Sequence, residues 1–280
     1  MDITEMRRAY AEILRTTADL QLESVVNAFS VVPRERFVGE GPWMIAQPLD
    51  PTYPYRTTHD TKLEHIYRDV AIAIDPVRQL NNGQPSAHAR WIEAAAPSVG
   101  ESVLHIGCGL GYYTAILAEM VSLSGRVVAH EVDGDLAARA QVLLQDWPQI
   151  DVVQGDASNV SNHFDVIYVN AGATHARSEW LAAMTTGARI LLPLTVHLPM
   201  FPHGVGFVLR AERRGVQWPA RVVSPVGIFD CVGARDEAVG QQLRKLLSPD
   251  LSKKIQWLCV AAHEQGNACL LHSEGFCLQS

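Results

Sequence analysis

Three glycines at alternate positions, Gly107, Gly109 and Gly111, form the segment of this chain whose residue types most directly indicate chemistry. The apolar run 103–106 leads into them, and apolar residues at helical spacing follow over residues 115–120. A strand, a glycine turn and a helix in this order build the ligand cleft of a doubly wound α/β domain. Glycine suits such a turn because it adopts unusual backbone angles and lets a ligand approach the main chain.

The spacing of these glycines, G-x-G-x-G, differs from the usual dinucleotide fingerprint and favours S-adenosylmethionine as the ligand. Glu131 ends a predicted strand about 20 residues past the loop, where such folds place an acid against ribose hydroxyls. Asp156 follows the next predicted strand, residues 150–153, and is expected to accept a hydrogen bond from the adenine amino group. The alternative interpretation is an ordinary glycine turn with two solvated strand-end carboxylates.

The composition restricts the class of protein. The chain has 280 residues, of which 48% are hydrophobic and 19% charged, as in a folded protein with a substantial core. A formal net charge of −7 argues against a general nucleic-acid binder. No apolar run is long enough to span a bilayer, and the N-terminal residues lack the pattern of a signal peptide. We therefore expect a cytoplasmic protein with no membrane or nucleic-acid partner.

The cysteine and histidine patterns do not predict a metal. Neither a C-x-x-C pair nor an H-E-x-x-H spacing occurs, so the sequence predicts no metal site and no disulfide framework. The five cysteines are Cys108, Cys231, Cys259, Cys269 and Cys277.

The elements that must position these residues follow from periodicity. Two apolar stripes predict helices within residues 4–30, with Thr4 as a cap and an end at Pro33. Residues 39–62 hold four prolines and predict a long loop, which could act as a lid. Residues 67–74 are predicted as a strand. A helix over residues 85–95 leads to the glycine segment.

After Asp156 the alternation of strands and helices continues to residue 247. Further strands are predicted at residues 164–170, 187–194, 206–211 and 226–231, where an antiparallel arrangement of the last two is left open. The predicted fold class is α/β, with a doubly wound, mostly parallel sheet. Three parts are expected: N-terminal helices and a substrate loop (1–100), a cofactor-binding core (101–248) and a C-terminal extension (249–280).

Four segments together resemble the protein-L-isoaspartate O-methyltransferase family over roughly residues 5–247. These segments are residues 32–38, Gln84-Pro85 ahead of a helix, residues 104–112, and residues 165–173 followed by 187–194. The resemblance implies a Rossmann-like S-adenosylmethionine-dependent methyltransferase that acts on a carboxylate of a protein, a peptide or a related small acid. Asn170, at the end of a strand motif, joins the glycines and the two acids as a cofactor-binding candidate.

The substrate loop departs from the family pattern. The family usually carries Thr-Ile-Ser-Gln-Pro where this chain has Asn-Asn-Gly-Gln-Pro, and Gly83 replaces the serine that helps hold the isoaspartyl carboxylate. We expect backbone amides at the start of the following helix to receive this carboxylate instead. Gly83→Ser is then expected to raise methylation up to about tenfold, unless the position needs an angle that only glycine tolerates. The side chains that could assist are Asn81, Asn82, Gln84 and Ser86.

A second departure is His105, which stands where the family usually has an acid that positions the amino group of the cofactor. A neutral histidine could accept one hydrogen bond there, and the alternative is a satisfied strand-end histidine. An ionised carboxylate acceptor needs no general base, whereas a hydroxyl or amine would, and His88 and His175 are the candidates for that role. The remaining functional alternatives are an enzyme specialised for a modified peptide or natural product, and an inactive adaptor with the same fold.

Overall fold

The computed structural model describes residues 2–47, 55–161 and 163–280. Its helices are α1 (Ile3–Ala18), α2 (Glu23–Val31), α3 (Pro85–Ala95), α4 (Tyr112–Val121), α5 (Gly134–Leu143), α6 (Ser178–Ala182), α7 (Glu237–Lys245) and α8 (Pro249–Ser252). The strands are β1 (Met44–Ala46), β2 (Tyr55–Thr57), β3 (Ala73–Asp75), β4 (Leu80–Asn81), β5 (Ser102–Ile106), β6 (Arg126–Glu131), β7 (Ile150–Gln154), β8 (Phe164–Val169), β9 (Met184–Val196), β10 (Gly204–Glu212), β11 (Gln217–Ile228), β12 (Trp257–Cys259), β13 (Cys269–Ser273) and β14 (Phe276–Gln279).

One ten-stranded mixed sheet organises the fold, in the order β13-β14-β12-β11-β10-β9-β8-β5-β6-β7. The half from β9 to β7 is parallel, and every pair from β9 to β13 is antiparallel. The predicted α/β class is confirmed. The sheet was expected to be mostly parallel, but only the half from β9 to β7 has parallel strands. The connections after β9 and β10 contain no helix and are too short for a parallel crossover, so these strands return as hairpins.

The parallel half is buried on both faces. Val103 and Leu104 are successive residues of β5, yet they belong to two different core clusters because strand side chains alternate between the faces. Helices α1 to α4 contribute to the first cluster, and α6, α7 and the last strands to the second. This double burial explains why the strands have continuous apolar sequences.

The N-terminal region differs in detail from its prediction. Asp2, not Thr4, caps α1: its carboxylate accepts from the Glu5 amide at 2.8 Å, and Glu5 accepts in return from the Asp2 amide. Residues 67–74 begin as bends and irregular chain and become a strand only at residue 73, because the carbonyls of residues 68 and 70 accept from the side chain of Arg34 rather than from a neighbouring strand. The predicted long loop contains the antiparallel pair β1–β2. Its residues 48–54 lie outside the described residues.

The C-terminal extension completes the antiparallel half of the sheet. Strand β12 pairs with β11, β14 with β12, and β13 with β14. Leu258, Phe276 and Leu278 are buried in the second core cluster. Within the described ranges, no helix has both the length and the apolar character needed to cross a membrane.

Candidate active site

A cavity of about 510 Å³ opens at the carboxyl ends of β5, β6, β7 and β8. The chain runs from β5 outward to β7 and then returns to place β8 on the other side of β5. This reversal is the switch point at which doubly wound sheets bind ligands. The volume is within the range of about 300–1,000 Å³ that small-molecule sites occupy.

The glycine loop forms one wall of the cavity. Gly107 and Gly109 line it, with φ angles of 76° and 56° in the left-handed region that favours glycine. A Cβ atom at Gly107 would lie 3.2 Å from the carbonyl oxygen of Asn170. Gly111 lies outside the cavity lining and begins α4, where a Cβ atom would lie 2.6 Å from Cδ1 of Leu144. The structure therefore places two of the three glycines at the cavity and the third in helix packing.

Glu131 is held firmly at the end of β6. Its Oε2 accepts from the Gly109 amide at 2.7 Å and its Oε1 from the Asp133 amide at 3.0 Å, and the residue is buried at the cavity wall. Each carboxylate oxygen retains a second lone pair. The acid is thus preorganised to accept hydrogen bonds from two hydroxyls.

Asp156 and Asn170 also line the cavity, as predicted for cofactor-binding residues. Hydrogen bonds from Ser158 and the Arg177 cation 3.1 Å away hold the pKa of Asp156 below its usual value, so this carboxylate is ionised at neutral pH. Asn170 donates from Nδ2 to the Gly107 carbonyl at 3.2 Å and so braces the glycine loop.

His105 lies beneath the loop and not at the cavity. It is fully buried, its Nδ1 is 2.9 Å from Oγ1 of Thr114, and its ring meets Tyr168 edge-on with centroids 5.3 Å apart. Burial lowers its pKa to about 3, which keeps the ring neutral. The next residue, Ile106, faces the cavity, and alternation along β5 directs His105 toward α4. His105 therefore lies outside the cavity lining, in the buried strand-end position that the sequence analysis gives as the alternative.

The predicted substrate loop forms the opposite wall, through Asn81, Asn82 and Gln84, whereas Ser86 lies outside the lining. The expected anion site at the start of α3 is already filled by Asp69. Its carboxylate accepts from the Ser86 amide at 2.8 Å and from the Gln84 side chain at 3.0 Å.

Two further amides of this turn bond within the helix. Those of Ala87 and His88 bond to the Gln84 carbonyl, and Pro85 has no N–H. At the Ser86 amide the chain therefore supplies its own anion, in the position where the sequence analysis expects the acceptor carboxylate.

The His88 ring fills the space beside Gly83. Gly83 has φ 74°, and a Cβ atom there would lie 2.9 Å from Cδ2 of His88 and still closer to its Nε2. The His88 ring stacks on Tyr113 with centroids 3.7 Å apart and an interplanar angle of 8°. Its Nδ1 is 2.8 Å from the Tyr168 hydroxyl. The imidazole therefore fills the space into which a serine side chain at position 83 would project.

The tautomer of His88 follows from its partner. Burial lowers the pKa of His88 well below its usual value and raises that of Tyr168, so the imidazole is neutral and the phenol keeps its proton. Within the described ranges the Tyr168 hydroxyl has no other acceptor, so it donates to Nδ1 of His88. The ring proton then resides on Nε2, which is a donor on the cavity side.

Asn82 also lines this wall, and its amide nitrogen is buried. Its Oδ1 accepts from the Ile72 amide at 2.8 Å, whereas its Nδ2 has no hydrogen-bond partner among the described residues. His175, the other candidate base, does not line the cavity and bonds to Oγ1 of Thr174 at 3.0 Å.

Two arginines support the site in ways that their sequence positions did not indicate. Arg34 is fully buried and donates to the carbonyls of residues 66, 68 and 70, of which the last two flank Asp69. Its guanidinium lies between the rings of Tyr10 and Tyr112, at 5.5 and 5.8 Å from their centroids. The segment 32–38 is one of the four that resemble the family. The contact of Arg34 with residues more than 30 positions away, however, leaves no pattern in the local sequence.

Arg78 lies in the turn between β3 and β4 and also lines the cavity. It pairs with Asp75 at 2.6 Å and with Asp133, the residue that caps α5. The pair with Asp133 connects the substrate-loop side of the cavity to the cofactor-loop side.

The third wall is the segment 225–232, which comprises the end of β11 and the residues that follow it, together with His203. The rings of His203 and Phe229 are 4.0 Å apart, and burial lowers the pKa of His203. This wall is mostly apolar and encloses the cavity between the two loops.

A glycine loop and strand-end acids at the switch point of a Rossmann-like sheet are the features of an S-adenosylmethionine-dependent methyltransferase. The family model described as "Protein-L-isoaspartate(D-aspartate) O-methyltransferase (PCMT)" matches residues 55–200. The chain belongs to this family, as its four sequence segments predicted, and it is a methyltransferase that uses S-adenosylmethionine, as the glycine spacing predicted.

Individual relatives agree with this assignment. The chain is 31% identical over 199 residues to protein-L-isoaspartate O-methyltransferase 1 of Archaeoglobus fulgidus, covering 69% of this chain and 82% of the relative. It is 28% identical over 213 residues to the enzyme of the same name from Pyrobaculum neutrophilum, covering 74% and 89%.

Solved structures share the fold. One, titled protein-L-isoaspartate O-methyltransferase, superposes with a TM-score of 0.65 at 20% identity and covers 85% of this chain and 68% of its own. A second, from Plasmodium falciparum and in complex with S-adenosyl-L-homocysteine, gives a TM-score of 0.59 at 15% identity, with coverage of 80% and 97%.

Proposed function

We propose that this enzyme transfers the methyl group of S-adenosylmethionine to a free carboxylate of a protein or peptide, with the isoaspartyl residue as its first candidate acceptor. The observation that carries the proposal is a single cavity that joins the loop from Gly107 to Gly109 and Glu131 with the substrate loop of residues 81–84. The bound cofactor supplies a methyl group already activated by its sulfonium. An acceptor carboxylate is ionised at neutral pH, so the protein has to align two partners and exclude water.

The cofactor end of the cavity fits this ligand. Glu131, fixed by two amides, has the free lone pairs to accept from ribose hydroxyls. Asp156 is ionised and suits an exocyclic amino group. Gly107 and Gly109 leave the main chain open to close approach. His105 supports this wall from below without a contact of its own.

The acceptor end offers two neutral donors in place of the family serine. Nε2–H of His88 lies against the position of a Cβ atom at residue 83, and Nδ2 of Asn82 has no hydrogen-bond partner among the described residues. A buried unpaired donor costs about 1–3 kcal/mol, and a carboxylate acceptor would recover that cost. We assign the acceptor carboxylate to these two donors, with Asn81 and Gln84 shaping the loop around them.

The test is transfer of a labelled methyl group to an isoaspartyl peptide, with the aspartyl isomer of the same peptide as the matched control. Base-labile label in the isoaspartyl peptide alone supports the proposal. Label that appears only in a cell extract would assign the enzyme to a specialised acceptor and refute the isoaspartyl assignment. Tight cofactor binding with no transfer to either would identify an inactive adaptor.

A further inference from the structure

Four side chains that suit a metal ion meet at the outer edge of the antiparallel half of the sheet. They are His263, Cys269, His272 and Cys277, and one ligand atom from each lies within 4.8 Å of the others. Cys277 of β14 is the strand partner of His272 of β13, so their side chains share one face. His263 comes from the segment between β12 and β13. Strand pairing therefore unites residues whose linear spacing matches no common metal motif.

We propose that this cluster, defined here as the C-terminal cluster, binds one zinc ion with tetrahedral Cys₂His₂ coordination. Two thiolates and two imidazoles are the donor set that selects zinc over harder cations. The Sγ of Cys269 lies 3.6 Å from Nε2 of His263. Zinc bonds of about 2.3 Å to sulfur and about 2.0–2.1 Å to nitrogen imply a sulfur–nitrogen edge of roughly 3.5 Å. This contact is therefore already close to one edge of the required tetrahedron.

The surroundings orient the ligands for that purpose. Nδ1 of His263 donates to the Ala261 carbonyl at 2.9 Å, which leaves the lone pair on Nε2, the nitrogen nearest Cys269. A backbone carbonyl in this position is the usual outer partner of a zinc-bound histidine. The Gly266 amide donates to the Cys269 sulfur at 3.3 Å. Nε2 of Gln279 lies 3.3 Å from Nε2 of His263, where the ion would take its place, and 3.8 Å from the Cys269 sulfur. Such donors stabilise a thiolate.

His272 supplies an independent observation. Its Nδ1 is buried and has no hydrogen-bond partner in the described ranges, which is costly for a polar atom. A cation bound through this nitrogen would remove that cost. Cys259, the strand partner of Cys277, lies 3.6 Å from Nδ1 of His263 and is a neighbour outside the four ligands.

The site is structural in character. Four protein ligands leave no open position for a substrate, and no member of the C-terminal cluster lines the methyl-transfer cavity. The ion would join β13, β14 and the segment that connects β12 to β13, which together end the sheet. The earlier expectation of no metal depended on linear spacing alone, and strand pairing is what brings these ligands together.

The test uses the chain of 280 residues, purified in the presence of a reductant and then dialysed against buffer free of metal ions. Elemental analysis is expected to find one zinc per chain, and Co²⁺ added to chelator-treated protein is expected to give the visible bands of a tetrahedral thiolate site. Chelator should lower the melting temperature. Cys269→Ser and His272→Ala should each weaken zinc binding at least tenfold.

Two control variants isolate the site. The double variant His59→Ala/His65→Ala disrupts the trio His59, Asp60 and His65, the other group of potential ligands in the described residues, and should retain full zinc content. Cys231→Ser should do the same. Absence of zinc and of Co²⁺ bands in the reduced wild-type chain would overturn the proposal, and this result does not depend on whether any variant folds. In a second preparation without reductant, a mass lower by two hydrogen atoms, mapped to two of these cysteines, would replace the zinc site with a disulfide.

Discussion

At the residue scale, Gly83 and His88 form a coupled pair. The glycine lacks a hydroxyl, and the histidine places a ring nitrogen in the same space. The two residues depend on each other, because a serine side chain at position 83 would collide with the imidazole of His88. The resemblance to the family pointed to the missing serine, whereas the position of His88 beside Gly83 is visible only in the structure.

Gly83→Ser is expected to lower isoaspartyl methylation rather than raise it. A non-glycine residue at φ 74° is strained by roughly 1–2 kcal/mol, and its Cβ atom would displace His88 from Tyr113 and Tyr168. Initial rates with an isoaspartyl peptide and the melting temperature measure both effects. Gly215→Ser is the matched control, because it has φ 58° with no atom within 4 Å of the new Cβ.

The double variant Gly83→Ser/His88→Ala tests whether the two residues compete for the same space. It should recover part of the lost activity, because a hydroxyl then enters the vacated space. A single Gly83→Ser variant that is as stable as the wild type and more active would show that His88 does not occupy the acceptor position.

Glu131→Ala is expected to weaken S-adenosylmethionine binding by about 1–3 kcal/mol, or roughly 5- to 150-fold. The substitution removes the acceptor for ribose hydroxyls and leaves the amides of Gly109 and Asp133 without their partner. Titration calorimetry measures the change. Asp151→Ala, which removes an exposed carboxylate paired with Arg126, should bind the cofactor as tightly as the wild type. Equal affinity of both variants would refute the role of Glu131.

At the element scale, a chain of contacts leads from the segment 32–38 to the substrate loop. Arg34 holds the carbonyls on either side of Asp69, Asp69 caps α3, and α3 carries His88. Beside Arg34, the side chains of Arg7 and Tyr67 donate to Glu35. The Arg7 contact connects α1 to the segment 32–38. The N-terminal helices thus position the acceptor wall of the cavity without lining it.

Arg34→Lys is expected to destabilise the fold by at least about 2 kcal/mol and to raise the KM for peptide more than the Kd for cofactor. An ammonium cannot reproduce the planar donors that reach three carbonyls, and each lost bond to a charged donor costs about 1.5–3 kcal/mol. Urea unfolding and steady-state kinetics measure the two effects. Arg36→Lys, at an exposed pair with Asp146, is the control. A change in the Kd for cofactor without a change in the KM for peptide would contradict the role of Arg34 in positioning α3.

At the scale of the whole molecule, buried neutral histidines couple stability to pH. Burial lowers the pKa of His105 to about 3, and that of His88 also falls well below its usual value. Above pH 6.5 the folded and unfolded states are both neutral at these rings. Below it only the unfolded chain takes up protons, so the free energy of unfolding falls as pH falls.

Between pH 7.5 and 5.0 we expect His105 alone to reduce the free energy of unfolding by about 2 kcal/mol. Urea denaturation at the two pH values measures this loss. His105→Gln should diminish the pH dependence, whereas His59→Gln, at an exposed ring, should leave it unchanged. An unaltered pH dependence in His105→Gln would show that this ring is not the group responsible.

The sequence by itself determined the parallel half of the sheet and the cofactor end of the cavity. Local signals suffice there, because apolar runs, glycine turns and strand-end acids follow one another within about 50 residues, and the carboxyl ends of parallel strands must meet at one edge. Glu131, Asp156 and two of the three glycines accordingly line the cavity.

Only the tertiary structure decided the acceptor end and the sheet's far edge. His88 fills the space beside Gly83, Asp69 occupies the start of α3, and Arg34 binds carbonyls more than 30 residues away. The C-terminal cluster depends equally on the pairing of β13 with β14. Each of these arrangements arises from packing between segments distant along the chain, and such contacts leave no periodicity or spacing in the sequence from which they could be predicted.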